Sequence, residues 1–192
     1  MTLKNILITG SKGFIGKNLK KQLLNSKEIN LFEFNRNDSF DSLDKIIKNV
    51  DFIFHLAGEV RPNSSNEEFV SSHNTLTNYI VKSIEKSSRK IPILFTSSKH
   101  AINPQNMYGK TKQETENIIK EYGLKNNIPI FIYRLPHVFG EGCKINYNSV
   151  ISTWIYNSIK NLDIKVFDRN IEMKYVYVQD IVIDFIDKIN EN

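Results

Sequence analysis

The chain has 192 residues, of which 40% are hydrophobic and 11% aromatic, and its formal net charge is +5 at pH 7. That length supports one sizeable core, so we expect a single globular domain. No apolar run approaches the roughly 18 residues of a membrane helix, and the early run at 6–8 is too short for a signal peptide, so the sequence predicts a cytoplasmic protein. The single cysteine, Cys143, excludes an internal disulfide, and the four histidines show no metal-ligand spacing.

The basic residues are spread over predicted helix faces beside Glu and Asp rather than gathered in one block. This distribution is typical of a solvated basic surface and argues against a nucleic-acid partner. The positive field would also favour an anionic cofactor or substrate.

Strand-like and helix-like segments alternate along the chain. Apolar, β-branched runs occur at 5–9, 29–35, 51–57, 91–97 and 128–135, and apolar residues at helical spacing occur at 14–25, 41–49, 74–87 and 110–125. Buried strands alternating with helices indicate an α/β fold with a parallel, doubly wound, Rossmann-like sheet. Ligands bind such sheets at the carboxyl ends of the strands, near the topological switch point.

The first strand runs into the glycine-rich sequence TGSKGFIG, in which Gly10, Gly13 and Gly16 are spaced three residues apart. Glycine lets the backbone approach a pyrophosphate, and the helix that follows directs its N-terminal N–H groups at the phosphate oxygens. Because this turn joins a strand to an amphipathic helix, it predicts a dinucleotide site.

The second strand ends in FEFNRND, with Arg36 just beyond it and its one acid, Glu33, too early to reach a ribose. An acid at the strand tip would hold the ribose 2′-hydroxyl of NAD, whereas an Arg accommodates a 2′-phosphate. The sequence therefore favours NADPH over NADH.

Tyr108 and Lys112 are four residues apart in a predicted helix, so their side chains share one face. A nearby ammonium favours the phenolate, and we therefore expect Lys112 to lower the pKa of Tyr108 toward neutrality. The preceding strand ends in Ser97 and Ser98, where a hydroxyl could hold a substrate carbonyl. Ser, Tyr and Lys beside a nicotinamide form a hydride-transfer site, with the proton handled by the protein.

The motifs TGSKGFIG, HLAGEVRP, TSSKHA, YGKTK and RLPHVFG together resemble the extended short-chain dehydrogenase/reductase family, the NAD-dependent epimerases and dehydratases of nucleotide sugars. The segment RLPHVFGEGCKINYNSVISTW is most similar to the reductase domain of CapF-type enzymes of capsular polysaccharide biosynthesis. The resemblance implies NADPH-dependent reduction of the 4-keto group of a UDP-2-acetamido-2,6-dideoxy-hexulose. It also implies partial substrate-binding elements at 140–192, no cupin domain, a homodimer, and a separate cupin-type epimerase polypeptide as partner.

The resemblance assigns roles by motif match. Tyr108 would protonate the developing alkoxide, Lys112 would hold the nicotinamide ribose, and Ser98 rather than Ser97 would hydrogen-bond the carbonyl. The implied cofactor-binding residues are Gly10, Gly13, Phe14, Ile15 and Gly16 at the pyrophosphate, Arg36 at the 2′-phosphate, Leu56, Ala57 and Gly58 on the adenosine side, and Arg134 and Pro136 at the nicotinamide. The implied substrate-binding residues are His137, which replaces the usual Asn, with Asn146, Asn148 and Ser149.

Several alternatives stay open. A 4-epimerase or dehydratase of the same fold would retain bound NAD, and a non-catalytic fragment or subunit would bind NADP without turnover. Family members carry an Asn in the helix before the serine strand, and both His73 and Asn74 are candidates for that place. Among the remaining residues, we interpret His55 as a core histidine and Cys143 as a packing thiol or substrate-wall residue rather than a nucleophile. The helix stripe of Ile151, Trp154, Ile155 and Ile159 is either core or exposed surface.

Overall fold

The computed structural model describes residues 3–61, 63–147, 149–166 and 168–191. All five predicted strands are present, as β1 (Lys4–Thr9), β2 (Ile29–Phe34), β3 (Phe52–His55), β4 (Ile93–Ser98) and β5 (Ile130–Leu135). They form one parallel sheet in the order β2-β1-β3-β4-β5. The direction of the connections reverses between β1 and β3, so the crevice expected for a ligand opens at the carboxyl ends of these two strands.

The helices of the main domain are α1 (Phe14–Leu23), α2 (Phe40–Ile47), α3 (Asn66–Val70), α4 (Leu76–Lys86) and α5 (Met107–Asn126), and α7 (Val178–Asp187) lies near the C-terminus. One core cluster joins the sheet to α2, α4 and α5, and a second joins its other face to α1 and α7. Helices therefore cover both faces of the sheet, which confirms the α/β, Rossmann-like, doubly wound fold.

The central strands are buried on both sides because their sequences are nearly continuous apolar runs. Every residue of β3 and β4 is buried, and Ile6, Leu7 and Ile8 of β1 are completely inaccessible. Such strands lack the alternation of apolar and polar residues found in a half-exposed sheet. Both of their faces need to be covered, as they are in a parallel sheet between two layers of helices.

The helix predicted at 74–87 is part of a longer helical segment. Helix α3 begins at Asn66, a π-helical turn occupies Ser71–Thr75, and α4 continues to Lys86. Ser65 and Glu68 form a capping box at its start. The S-x-x-E spacing is visible in the sequence and explains why the helix begins there.

A smaller unit follows β5. Strands β6 (His137–Phe139) and β7 (Tyr175–Tyr177) form a parallel pair, and α6 (Val150–Ile159) lies between them in the chain. Helix α6 has no buried residue among those described, and Ile155 and Ile159 are exposed. The apolar stripe of Ile151, Trp154, Ile155 and Ile159 is thus half-buried at its first two residues and exposed at its last two, and it is not core. Within the described ranges, no helix combines the length and apolarity that crossing a membrane requires.

Candidate active site

The turn after β1 brings backbone close to backbone. Gly10 has a φ of +75°, and a Cβ there would lie 2.8 Å from the backbone of Ala57. A Cβ on Gly16 would lie 2.3 Å from the carbonyl oxygen of Gly10. Only glycine fits at both positions, and this compact turn carries the chain directly into α1.

Helix α1 begins at Phe14, immediately after Gly13. Gly13 has no side chain with which to cap the helix, so the first N–H groups, including those of Phe14 and Ile15, are available to an external acceptor. Leu56 and Ala57 line the other side of the crevice, where their N–H groups donate to the Thr9 carbonyl and hydroxyl oxygens over 3.2 Å each. The geometry matches an anion-binding helix N-terminus.

The end of β2 carries a charge cluster that the sequence analysis did not anticipate. Arg36 donates to one carboxylate oxygen of Glu59 over 2.6 Å, and Arg61 donates to the same oxygen over 2.7 Å. Glu59 is 4% exposed, and its hydrogen bond from Arg61 is the main reason why its pKa lies well below the usual range. Glu59 directly follows Gly58 after β3, and an acid at a strand end is the signal that could have identified it.

Glu33, the acid within β2, is engaged elsewhere. It accepts hydrogen bonds from Lys20 over 2.6 Å and from the Ser11 hydroxyl over 2.5 Å. The Lys20 contact lowers the pKa of this carboxyl. Glu33 therefore links the glycine-rich turn and α1 to β2 through these hydrogen bonds. This agrees with the inference that Glu33 does not bind the ribose.

Tyr108 lies in the first turn of α5, which Asn106 caps by accepting from the Gly109 N–H. The ring is surrounded edge-on by Phe69, His73 and His100, at centroid distances of 5.8 to 5.9 Å. The Ser98 hydroxyl, at the end of β4, accepts from the His100 N–H over 3.3 Å and is close enough to the phenol to act on its pKa. The structure thus brings the Ser98 and Tyr108 hydroxyl groups together at the carboxyl edge of the sheet.

The expected lowering of the Tyr108 pKa by Lys112 is not what the structure gives. Desolvation raises the pKa of Tyr108 above its ordinary value, and the nearby Ser98 hydroxyl offsets only part of that effect. The physical reason is that the ammonium of Lys112 points toward β4, where it donates to the Thr96 carbonyl over 2.9 Å.

Lys112 is almost completely buried, with 3% of its surface exposed. Its Nζ lies 4.7 Å from the centre of the Phe95 ring. Burial lowers the pKa of Lys112 to about 7, although the carboxylate of Glu116 acts to raise it. A buried lysine whose pKa lies close to neutral pH, one helical turn from a tyrosine, is typical of a functional site.

Ser97 and Ser98 separate into different roles. The Ser97 hydroxyl donates to Glu116 over 2.5 Å, so its proton is already used within the protein. Glu116 also accepts two hydrogen bonds from the guanidinium of Arg134, at 2.6 and 2.8 Å. The preference for Ser98 is therefore consistent with the geometry, and Arg134 has a partner in the protein that the sequence did not reveal; its contact to a nicotinamide stays a prediction.

The proposed substrate residues lie in the smaller unit. Asn146 has a φ of +53° and its N–H donates to the Thr153 hydroxyl, while the Ser149 hydroxyl accepts from the Ser152 N–H and caps α6. His137 is exposed at the start of β6, one residue after Pro136. Asn148 lies outside the described residues. Contacts of all these residues to a substrate stay predictions.

Two further histidines and one asparagine have defined positions. His55 is buried, with Nδ1 2.7 Å from the Thr9 hydroxyl and Nε2 2.8 Å from the Thr77 hydroxyl, which confirms its interpretation as a satisfied core histidine. Asn74 donates to Glu114 over 2.5 Å and accepts from Thr115. His73 points into the site instead, toward Gly58.

Comparisons with known proteins agree with this architecture. The NAD dependent epimerase/dehydratase family matches residues 6–186. The chain is 37% identical over 180 residues to the UDP-2-acetamido-2,6-beta-L-arabino-hexul-4-ose reductase of Pseudomonas aeruginosa, covering 94% of this chain and 48% of that protein. The alignment confirms the resemblance to this reductase group.

Solved structures give the same result. The capsular polysaccharide assembling protein CapF of Staphylococcus aureus superimposes with a TM-score of 0.83 and 38% identity, over 96% of this chain and 50% of that one. The UDP-glucuronic acid 4-epimerase of Bacillus cereus, crystallised with UDP-glucuronic acid and NAD, has a TM-score of 0.82 at 18% identity, over 97% of this chain and 73% of that one, and shows the shared fold. The chain spans about half the length of the Pseudomonas and Staphylococcus proteins. On the match over residues 6–186, the chain belongs to the NAD dependent epimerase/dehydratase family.

Proposed function

We propose that this chain is an NADPH-dependent reductase domain that acts on the 4-keto group of a UDP-2-acetamido-2,6-dideoxy-hexulose, for surface polysaccharide precursors. The observation that carries the proposal is the proximity of the Ser98 and Tyr108 hydroxyl groups, one helical turn before Lys112, at the carboxyl edge of the sheet. Support also comes from the 37% identity to a protein named as a reductase of this sugar class. The resemblance at lower identity to 4-epimerases supports only the fold.

The residues at the crevice fit a dinucleotide. Gly10 and Gly16 leave room for a close backbone approach, and the exposed N-terminus of α1 offers N–H donors for a pyrophosphate. Arg36 lies just beyond the end of β2 and is largely exposed, with 66% of its side chain accessible; an Arg near this strand end can accommodate a 2′-phosphate, which supports NADPH as the cofactor. When bound, the dinucleotide supplies the hydride.

The chain's own residues would orient the carbonyl and deliver the proton. Ser98 would donate to the carbonyl oxygen, which fixes its position beside the phenol of Tyr108. Because desolvation raises the pKa of Tyr108, the phenol is protonated at neutral pH and can transfer that proton to the developing alkoxide. The ammonium of Lys112 donates to β4 rather than to the phenol, and by the resemblance it would hold the nicotinamide ribose.

A fluorescence titration with NADPH and then NADH tests the cofactor half. We expect tighter binding of NADPH, and we expect Arg36→Ala to weaken NADPH binding by about tenfold while leaving NADH unchanged, since a charge-assisted hydrogen bond to phosphate is lost. Lys27→Ala, which removes one exposed charge far from the crevice, is the matched control. Equal affinity for the two cofactors in the unaltered protein would overturn the NADPH assignment.

Oxidation of NADPH in the presence of a UDP-2-acetamido-2,6-dideoxy-4-hexulose tests the reaction. Tyr108→Phe should lower kcat by at least about 100-fold with the NADPH affinity retained, because proton transfer is lost but the fold is kept. Tyr156→Phe alters an exposed tyrosine and serves as the control. NAD released on denaturation together with 4-epimerisation would instead support the epimerase alternative, and NADPH binding without turnover would support a non-catalytic subunit.

The same proposal includes two protein partners inferred from the resemblance, a second copy of this chain and a cupin-type epimerase polypeptide. Light scattering of the purified chain, alone and mixed with such a polypeptide, tests both. A monomer mass in each sample would remove these partners from the proposal without affecting the reductase assignment.

A further inference from the structure

His73 has an unusual environment for a buried histidine. It lies in the π-helical turn between α3 and α4, and its side chain is completely inaccessible to solvent. Its Nδ1 is 2.8 Å from the hydroxyl of Thr111. Its Nε2 is one of only two buried side-chain polar atoms, among the described residues, that have no hydrogen-bond partner. A buried polar atom without a partner is costly, and it therefore calls for an explanation.

The Thr111 contact determines which nitrogen carries the proton. The Thr111 hydroxyl lies 2.9 Å from the Met107 carbonyl and 3.1 Å from the Tyr108 carbonyl, and it donates to this pair in the usual manner of a helical threonine. Its oxygen then accepts the proton of His73 Nδ1–H. This tautomer leaves a lone pair on Nε2, so the missing partner is a donor.

Lys112 carries a donor group on that side of the ring. His73 Nε2 and Lys112 Nζ lie 2.7 and 3.2 Å, respectively, from the position that a Cβ on Gly58 would occupy. Because residue 58 is glycine, no side chain there separates the two nitrogens. The Lys112 ammonium has three N–H donors, of which the Thr96 carbonyl takes one.

The charges around the pair keep the imidazole neutral. Desolvation first, and then the charge of Lys112, lower the pKa of His73 to about 2. The other titratable groups that face the two residues are Tyr108 and Glu116 on α5, His55 on β3, and Glu59 after β3. Glu59 also offers a main-chain carbonyl near the ring, which acts in the opposite direction and would favour a proton on His73.

We propose that His73 is a positioning residue for Lys112: its Nε2 accepts a hydrogen bond from the ammonium through one water, and so keeps Lys112 charged and its Nζ in place beside Gly58. This inference rests on the proposed reductase function for its catalytic consequence, but the hydrogen bond itself does not depend on turnover. Edge-on packing of the His73 ring against Tyr108, at 5.8 Å, places the acceptor beside the proton donor of the site.

Three substitutions of His73 distinguish a role as hydrogen-bond acceptor from a role in filling space. Gln places an amide oxygen near the position of Nε2, Asn reaches only the position of Nδ1, and Phe fills the ring volume without either. If the acceptor stabilises the ammonium, His73→Asn and His73→Phe should lower the pKa of Lys112 by about one unit, whereas His73→Gln should retain it.

NMR spectroscopy of the full chain measures this directly. Nitrogen-15 spectra of labelled histidine report the His73 tautomer, and a pH titration of carbon-13-labelled lysine reports the Lys112 pKa. We expect a proton on Nδ1, an unprotonated Nε2, and the order of lysine pKa values just given. A proton on Nε2, donated to the Glu59 carbonyl, or the same Lys112 pKa in the Gln and Asn variants, would overturn the proposal. The Gln and Asn comparison remains decisive where His73→Phe fails to fold.

The kinetic readout distinguishes this proposal from the proposed function. The alkaline limb of the kcat/KM profile for the keto-sugar should move about one pH unit lower in His73→Asn and stay in place in His73→Gln, because the charged form of Lys112 is lost at lower pH. Absence of turnover in the unaltered chain would refute the reductase assignment. The NMR titration would still show whether the hydrogen bond between His73 and Lys112 exists. An unshifted limb in an active His73→Asn variant would refute the role of His73.

Discussion

The Arg36 guanidinium donates to the Glu59 carboxylate over 2.6 Å, so the residue expected to recognise a 2′-phosphate already has an anionic partner in the protein. Glu59 is buried and accepts from Arg61 as well, whereas Arg36 remains largely exposed. The carboxylate thus holds two guanidinium groups at the mouth of the crevice. It also presents a negative charge that would repel the phosphate that Arg36 is expected to bind.

Glu59→Gln should therefore strengthen NADPH binding relative to NADH. An amide oxygen at the place of Oε1 can still accept from the Val60 N–H and from Arg61 Nε, but the substitution removes the charge that competes for Arg36. We expect the ratio of the two dissociation constants to shift by about threefold to tenfold toward NADPH, and the same titrations measure it. A shift toward NADH would mean that Glu59 orients Arg36 rather than competing for it.

The pH dependence of stability should report the buried lysine. The pKa of Lys112 is about 7 in the folded protein, against an ordinary value of 10.5, so between these values the unfolded chain binds the additional proton. Stability therefore rises with pH through this window, and the cost of burying the charge is complete below about pH 7.

Lys112→Met removes that titration. The variant should gain stability relative to the unaltered protein as the pH falls. The free energy of unfolding of the variant minus that of the unaltered protein should be larger at pH 6.5 than at pH 9.5, by up to about 1.4 kcal/mol for each pH unit in the window. Urea unfolding at the two pH values measures the difference. Lys110→Met, an exposed residue on the same helix, is the control and should show the same difference at both values. A pH-independent difference for Lys112→Met would place its folded pKa near the ordinary value.

The sequence predicted the strands and the shared face of Tyr108 and Lys112 because both depend on local spacing. Long apolar runs specify buried parallel strands, and a four-residue separation specifies one side of a helix whichever fold surrounds it. The direction in which Lys112 points was not predictable in this way. Its ammonium faces Thr96 and Phe95 because β4 lies directly beneath α5, and that packing is a property of the assembled sheet.

The pairings of charged residues were also beyond sequence reasoning. Arg134 and Glu116 are 18 residues apart and lie on different elements, and they meet because β5 is the neighbour of β4 under α5. Glu59 and Arg36 are 23 residues apart and meet only because β1 alone separates β2 from β3. Strand order, rather than composition, determines both contacts.

Arg134→Met should destabilise the protein. It leaves Glu116, which is 1% exposed, without its two guanidinium hydrogen bonds, although Ser97 and Lys120 still contact the carboxylate. Because Arg134 is 40% exposed, we expect a loss of about 1–2 kcal/mol rather than the larger value of a fully buried pair. Urea unfolding measures the loss, and an unchanged free energy of unfolding would show that the ion pair contributes little. An NADPH titration of the same variant tests the nicotinamide contact: weaker binding would support it.

Gly16→Ala should disable the cofactor crevice. The new Cβ would lie 2.3 Å from the Gly10 carbonyl oxygen and 2.8 Å from the Cα of Ser11, and both are backbone atoms that cannot move without opening the turn. We expect a loss of about 1–3 kcal/mol in the free energy of unfolding, together with the loss of measurable NADPH binding.

Gly142→Ala is the matched control, because a Cβ there would meet nothing within 4 Å. Its φ of +80° still makes alanine unfavourable, so we expect a cost of about 1–2 kcal/mol with the NADPH affinity unchanged. Urea unfolding and fluorescence titration on both variants separate backbone strain from damage to the crevice. Unaltered NADPH binding by Gly16→Ala would show that the turn after β1 does not hold the pyrophosphate, since the close approach of α1 to Gly10 is the feature that forms that site.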